Sequence, residues 1–360
     1  MEIPFIYGKI VSDRDFTDRT QESSKLLANF LSQTNTAIIS PRRWGKSSLV
    51  NKVIKLASEA NSKLLFVRMN AFKCETPQEF YELFAKRTVE EISTSKLSIS
   101  GPAGQYELSL GVDWRDASVG EDVLNLPQLI AKKRKKKVIV CIDEFQQIGE
   151  FDQSSRFQKI LRNHWQEQTD VAYILYGSKK HMMLNIFGEY GKPFYRFCDM
   201  MFLPKIGNKD WQEYITRRFS ETGKAISPEL AGKLADIVDN HPYYVQQLAQ
   251  LSWLRTANEC TEAIVINAHE ALIEQLSLLF TNLCESLTFQ QICYLHAVTS
   301  GEKSLSSSAV LSKYHISSAT SAFRSLKVLI KKDILDNKSG VISFQDPIFA
   351  YWLKHTYFSS

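Results

Sequence analysis

The sequence predicts an α/β fold over its first 205 residues, a parallel sheet with helices on both faces. An all-helical segment and a small helix-and-hairpin unit follow. Three observations predict this. A short apolar run, Ala37-Ile38-Ile39, leads through Ser40 to Ser48 into an amphipathic helix pattern carrying Leu49, Val50, Val53, Ile54, Leu56 and Ala57. A second apolar run, Val138 to Ile142, ends in the carboxylate pair Asp143-Glu144. Strand and helix patterns alternate as a doubly wound sheet requires, and strand signals stop after Pro204.

In order along the chain, residues 1–35 hold Phe5-Ile6-Tyr7-Gly8 and a helical run from Leu26 to Leu31. Leu64 to Met69 reads as the next strand, and Glu79 to Ile92 as a helix with Phe80, Leu83, Phe84 and Ile92 on one side. Residues 93–120 are rich in Ser and Gly, and Tyr106 to Trp114 alternates in polarity, which predicts an inserted hairpin. A helix with Leu124, Leu126, Leu129 and Ile130 follows. The basic block Lys132 to Lys137 then either tracks phosphates or forms a solvated turn before the acidic-pair strand. Val171 to Ser178 and Met200 to Leu203 complete the strands.

Residues 206–280 predict a helical lid: Trp211 to Phe219, Pro228 to Val238, Tyr243 to Trp253 and Ala268 to Phe280. Residues 281–360 predict a winged helix. Its helices are expected at Leu283 to Val298, Leu305 to Tyr314, and from a Ser317-Ser318 cap to Lys332, with Ala319, Ala322, Phe323, Leu326, Leu329 and Ile330 facing the core. A hairpin turning at Asn337 to Gly340 and a final helix, Pro347 to Tyr357, close the unit.

The chemistry concentrates at strand ends. A strand–loop–helix unit reading Ser40-Pro41-Arg42-Arg43-Trp44-Gly45-Lys46-Ser47-Ser48 is the context of a phosphate-binding P-loop. Backbone N–H groups of the loop and the helix N-terminus can cradle phosphate oxygens, which makes Pro41, Arg42, Arg43, Trp44, Gly45, Lys46, Ser47 and Ser48 the binding candidates. Lys46 adds charge beside the β- and γ-phosphates, and Ser47 offers a hydroxyl to Mg²⁺. Asp143 is the second metal-holding candidate, and Glu144 the residue that polarises an attacking water. Ser178, ending a strand expected between the other two, reaches either the γ-phosphate or that water, unless it is an ordinary strand-end serine. Arg196 is read as a finger for a neighbouring subunit's γ-phosphate or as a structural arginine. Pro242, in Asn240-His241-Pro242-Tyr243-Tyr244, opens a lid helix that senses nucleotide or simply starts there.

Composition narrows the alternatives. The formal net charge of +5 is too mild to argue nucleic-acid binding by itself. The 6 cysteines contain no C-x-x-C pair and the 7 histidines show no metal-ligand spacing, so reduced thiols in a cytoplasmic protein are expected and zinc is not. No apolar run reads as a membrane span. In residues 281–360, Arg324, Lys327 and Lys331 share an exposed face behind Ser318, Thr320 and Ser321, so the winged helix meets either DNA or protein.

Together these residues resemble the archaeal-type P-loop ATPases, within the group that joins signal-transducing and AAA+ ATPases. The resemblance rests on Phe16-x-x-Arg19-x-x-Glu22, the Arg42 to Ser47 loop, Asp143-Glu144, Tyr176-Gly177-Ser178, Arg196 and His241-Pro242, and covers nearly the whole chain. It implies an ATPase core at 1–205, a lid at 206–280 and a winged helix at 281–360, with ATP and Mg²⁺ as ligands. It also implies that Phe5 to Tyr7, Phe16 and Arg19 help enclose adenine, and that assembly into a homo-oligomer is open. Two departures stand out: Ser40 replaces the first loop Gly, and His241 stands where relatives often carry Gly. Three readings follow: an ATP hydrolase, an ATP-gated DNA-binding protein similar to initiator ATPases, or a slow ATP-binding switch with a protein partner.

Overall fold

The computed structural model describes residues 3–11, 13–92, 97–101, 104–108, 120, 122–338 and 340–359. The chain divides into two compact units, Ile10–Pro204 and Met1–Lys9 with Lys205–Ser360.

The first unit contains α1 (Thr20–Leu31), β1 (Thr36–Ile39), α2 (Lys46–Ala60), β2 (Leu64–Asn70), α3 (Pro77–Ile92), β3 (Leu97–Gly101), β4 (Gly104–Leu108), α4 (Leu126–Arg134), β5 (Lys137–Asp143), α5 (Ser154–Gln166), β6 (Val171–Gly177), α6 (Lys180–Phe187) and β7 (Asp199–Phe202). Five strands form a parallel sheet in the order β2-β5-β6-β1-β7. As the sequence predicts, β6 lies between the P-loop strand and the acidic strand. The register pairs Ile39 with Gly177 and Asn70 with Asp143, so the strands' C-terminal ends line one edge.

Both faces of the sheet are buried at its centre, which is why β1, β5 and β6 are almost continuously apolar, whereas the edge strand β2 exposes Arg68 and Asn70. Successive residues of β5 go to opposite cores: Val138, Val140 and Ile142 to one, Ile139 and Cys141 to the other. The first core is built around Trp165, 1% exposed, whose ring stacks on Tyr173 at 4.0 Å and 15°. Phe84, Phe145 and Phe194 surround it at 5.9–6.5 Å. Trp165→Ala removes the centre of this aromatic cluster and is expected to cost roughly 3–5 kcal/mol. Urea unfolding followed by circular dichroism measures it; a loss under ~1 kcal/mol would show that the cluster collapses to fill the gap.

The inserted hairpin pairs β3 with β4, Leu97 opposite Leu108, so its strands begin earlier than the alternation at 106–114 predicts. Residues 109–119 lie outside the described residues. The basic block ends α4, where cations favour the helix C-terminus, with Lys135 left-handed at φ 52°. Lys137 bridges Asp170 at 2.7 Å and begins β5, at the end of that strand away from Asp143.

The second unit contains α7 (Asn208–Ser220), α8 (Pro228–Ile237), α9 (Pro242–Arg255), α10 (Glu262–Glu285), α11 (Phe289–Thr299), α12 (Ser308–Lys313), α13 (Ala319–Lys331), β8 (Leu335–Lys338), β9 (Val341–Phe344) and α14 (Pro347–Trp352), which runs on as a π-helical turn, Leu353–Tyr357. Residues 3–9, expected with the 1–205 core, belong here. Phe5 is buried against Tyr214 and Phe219, and Arg218 and Gln250 donate to the carbonyls of Pro4 and Phe5. These bonds tie an extended segment that has no periodicity of its own, so the sequence does not show where it docks.

Two further corrections concern helices. The expected break at 280/281 falls inside the continuous α10. The expected helix Leu283 to Val298 is instead interrupted by a capping box, in which Thr288 and Gln291 exchange side-chain and backbone bonds to start α11. Although no membrane span was expected, α10 has the length and apolar composition of one. Its Val265, Ala268, Leu272, Phe280 and Cys284 are nevertheless buried in the core of this unit.

The cap at Ser318 is as expected, its hydroxyl accepting from Ser321 N at 3.1 Å. Phe323 is not: it is 66% exposed, and Ala319 is exposed as well. The buried stripe of α13 runs through Ala322, Ser325 and Leu329, and Phe323 stands on the opposite side with Arg324 and Lys327. Its hydrophobicity misled the periodicity reading; Ser325, polar but buried, holds the core position.

Candidate nucleotide site

The candidate site lies at the C-terminal edge of the first unit's sheet, where open α/β sheets bind ligands. β1 ends at Ile39, the loop turns, and α2 begins at Lys46. Gly45 makes the turn at φ 87°, and a Cβ at this position would meet no atom within 4 Å, so its need is conformational rather than steric. Arg43 is also left-handed, at φ 63°, whereas Ser40 is not among the positive-φ residues. The substitution of the first loop Gly is therefore compatible with this backbone.

Lys46 is 6% exposed and lies along the loop. Its Nζ donates to Ser40 O at 3.0 Å and Pro41 O at 2.8 Å. Burial lowers its pKa to about 8, against the raising fields of Glu144 and Asp143, while Arg42 lowers it further. Ser47 Oγ donates to Asp143 Oδ2 at 2.7 Å. Burial raises the Asp143 pKa, opposed by that hydrogen bond, and its Oδ1 accepts from Glu144 N at 2.8 Å. Ser48, buried, accepts from Val11 N at 3.1 Å and so fastens the preceding chain to the helix start.

Glu144 is left-handed at φ 52° and ends the strand with a sharp turn. A non-glycine residue held there is strained, and such strain gathers at functional sites. Its Oε2 accepts from Ser178 Oγ at 2.9 Å, and Arg42 Nε donates to that same hydroxyl at 3.3 Å. The structure thus brings Arg42, Lys46, Ser47, Asp143, Glu144 and Ser178 into one connected edge. It also reveals Gln146, which the sequence reading passed over, donating from Nε2 to Glu144 Oε2. The signal available was weak: two successive glutamines, Gln146 and Gln147, between the apolar Phe145 and Ile148, of which the structure buries only Gln146.

Arg19 is buried, left-handed at φ 64°, bridged to Glu22 at 3.2 Å and donating to Trp44 O at 3.4 Å. Phe16 packs on the α1–α2 core under the Lys52 ammonium, 4.0 Å from its ring centre. Both residues therefore adjoin the loop and its helix. Arg196 is exposed, left-handed at φ 55°, with its guanidinium 5.3 Å from the Tyr195 ring. Pro242, by contrast, belongs to the second unit, where it is the first residue of α9.

Residues 16–248 match the ATPase domain family found predominantly in Archaea. The chain belongs to that family. Residues 278–355 of this ATPase-family protein match a probable winged helix domain. Among solved structures, it is similar to a Walker-type ATPase of Pyrococcus abyssi, with a TM-score of 0.73 and 15% identity over 98% of this chain and 100% of that one. It is also similar to the ORC2 protein of Aeropyrum pernix in ADPNP–ADP complexes, with a TM-score of 0.64 and 14% identity over 98% and 95%. The ORC1 protein of Aeropyrum pernix in complex with DNA follows at 0.52 and 12%, over 96% and 94%. At these identities the similarity establishes the fold, a parallel α/β core with a C-terminal helical and winged-helix region. No curated protein sequence matches significantly.

Proposed function

We propose that this protein binds ATP with Mg²⁺ and hydrolyses it, and that its nucleotide state governs the lid and the winged helix. The observation that carries the reading is the Ser47–Asp143 hydrogen bond at 2.7 Å beneath a loop whose lysine is buried along it. Ser47 and Asp143 offer the hard oxygen donors that Mg²⁺ takes, and they would hold it. When bound, the metal neutralises charge on the β- and γ-phosphates. Loop N–H groups and Lys46 bind the phosphates; Glu144 accepts the proton of the attacking water; Ser178 orients it or the γ-phosphate. Phe16 and Arg19 contribute to enclosing the nucleotide. The six free cysteines, five of them buried, suit a reducing cytoplasm.

A second reading, ATP-gated DNA binding, is favoured by one feature. Thr320, Phe323, Arg324, Lys327 and Lys331 are all exposed on α13, an aromatic among cations, as a groove-reading helix requires. The similarity to a protein solved with DNA supports the same reading.

The test is steady-state ATP turnover with Mg²⁺ or with a chelator, with and without duplex DNA at several salt concentrations. Mg²⁺-dependent turnover supports the hydrolase reading. Stimulation by DNA, lost steeply as salt rises, puts the DNA-gated reading first. Tight ATP binding without turnover points to a switch that awaits a protein partner, and absence of ATP binding defeats all three readings. Turnover per subunit that is constant on dilution, together with an Arg196→Ala that changes nothing, removes the finger role of Arg196.

A further inference from the structure

We infer that Gln146 is a positioning residue for Glu144, an assignment that rests on the hydrolase reading above. Gln146 is only 2% exposed, and its Oε1 has no hydrogen-bond partner among the described residues. A buried amide left half-satisfied costs about 1–3 kcal/mol, so its retention needs a reason other than packing. Its Nε2 supplies one, by donating to Glu144 Oε2 from two residues away. Glu144 is the left-handed residue at the start of the 3₁₀ turn Phe145–Gly149, which carries Gln146.

The opposite wall of the amide's berth is Gly177. A Cβ there would overlap Gln146 Oε1 and lie 2.8 Å from Met183 Sδ. Gly177 has no left-handed φ, so the glycine is required by this close approach and not by its own backbone. Room for the Gln146 amide thus depends on one residue, directly before Ser178.

Ser178 places a second donor on the same carboxylate oxygen, at 2.9 Å. Arg42 Nε, donating to the Ser178 oxygen at 3.3 Å, leaves the single hydroxyl proton to point at Glu144. Two donors thus share Oε2 and hold the carboxylate, which leaves Oε1 to take the water's proton. Gln146 touches no reacting atom in this scheme; it acts through Glu144. Orientation at this level matters, because a displacement of ~1 Å at a general base costs on the order of 10²-fold in rate.

The experiment compares wild type, Gln146→Met, Gly177→Ala and Glu144→Gln by ATP turnover, fluorescent-nucleotide binding and thermal unfolding. Met keeps the length and burial of Gln146 without the donor, whereas Gly177→Ala keeps the amide and takes its room. Both are expected to lower kcat roughly 10- to 100-fold with KM and nucleotide Kd unchanged. The double variant Glu144→Gln/Gln146→Met should be no slower than Glu144→Gln, since Gln146 has no target once the base is gone. A Gln146→Met kcat within about twofold of wild type, beside an inactive Glu144→Gln, overturns the inference and leaves the hydrolase reading standing. Parallel losses of kcat, nucleotide affinity and melting temperature make Gln146 a packing residue and also overturn it. A wild type that does not hydrolyse ATP fails the hydrolase reading, and this inference falls with it.

Discussion

Glu144→Gln is expected to keep nucleotide and stop turnover, with kcat falling roughly 10²- to 10⁴-fold, the range of a lost general base. The substitution changes no heavy-atom count and leaves an oxygen to accept from Ser178. It removes only the negative charge and the ability to take a proton. Phosphate binding does not need that charge. Glu144 and Asp143 both raise the Lys46 pKa, so their fields reach the lysine proposed to bind phosphate. Deleting one carboxylate also removes a repulsion toward a polyphosphate, so affinity should hold or rise. Single-turnover hydrolysis beside equilibrium nucleotide titration separates the two effects. Turnover within tenfold of wild type would assign the base to another group, and lost affinity would mean that Glu144 shapes the loop rather than the chemistry.

The parallel sheet was legible because burial on both faces of its central strands writes short uninterrupted apolar, β-branched runs, Val138 to Ile142 and Val171 to Tyr176. The strand–loop–helix turn at 40–48 was legible because its demands are local: a strand, one positive-φ glycine at 45, a lysine and a hydroxyl in succession. Two other features depend on tertiary contacts that leave no period in the sequence. Residues 3–9 join the second unit through carbonyls held by Arg218 and Gln250, more than 200 residues away. Phe323 was assigned to the core by its hydrophobicity, although the helix buries Ser325 and shows the ring to solvent. Gln146 was invisible for a similar reason. Its partner is two residues away, but the amide has room there only because residue 177 lacks a Cβ.

Lys46→Ala is expected to raise the nucleotide Kd by roughly 10²- to 10³-fold, comparable to the loss of one preorganised charge donor at a phosphoryl or oxyanion site. Two costs combine. The phosphates lose a cation that sits in a desolvated position, where a charge is worth more than in water. The loop also loses the donor that satisfies Ser40 O and Pro41 O. Lys46→Arg should not restore binding, because a planar fork cannot replace a compact ammonium in this buried berth. The lowered pKa supplies an independent signature. With a free-protein value of about 8, Lys46 is charged at pH 7 and increasingly neutral above pH 8. Bound phosphates favour the charged form, so above pH 8 binding takes up a proton and affinity falls by at most about tenfold per pH unit. Below pH 7 this group contributes no slope. The wild-type affinity should therefore bend downward near pH 8, and the bend should vanish in Lys46→Ala. An affinity that is flat from pH 7 to about 10 in the wild type would place the phosphates out of reach of Lys46.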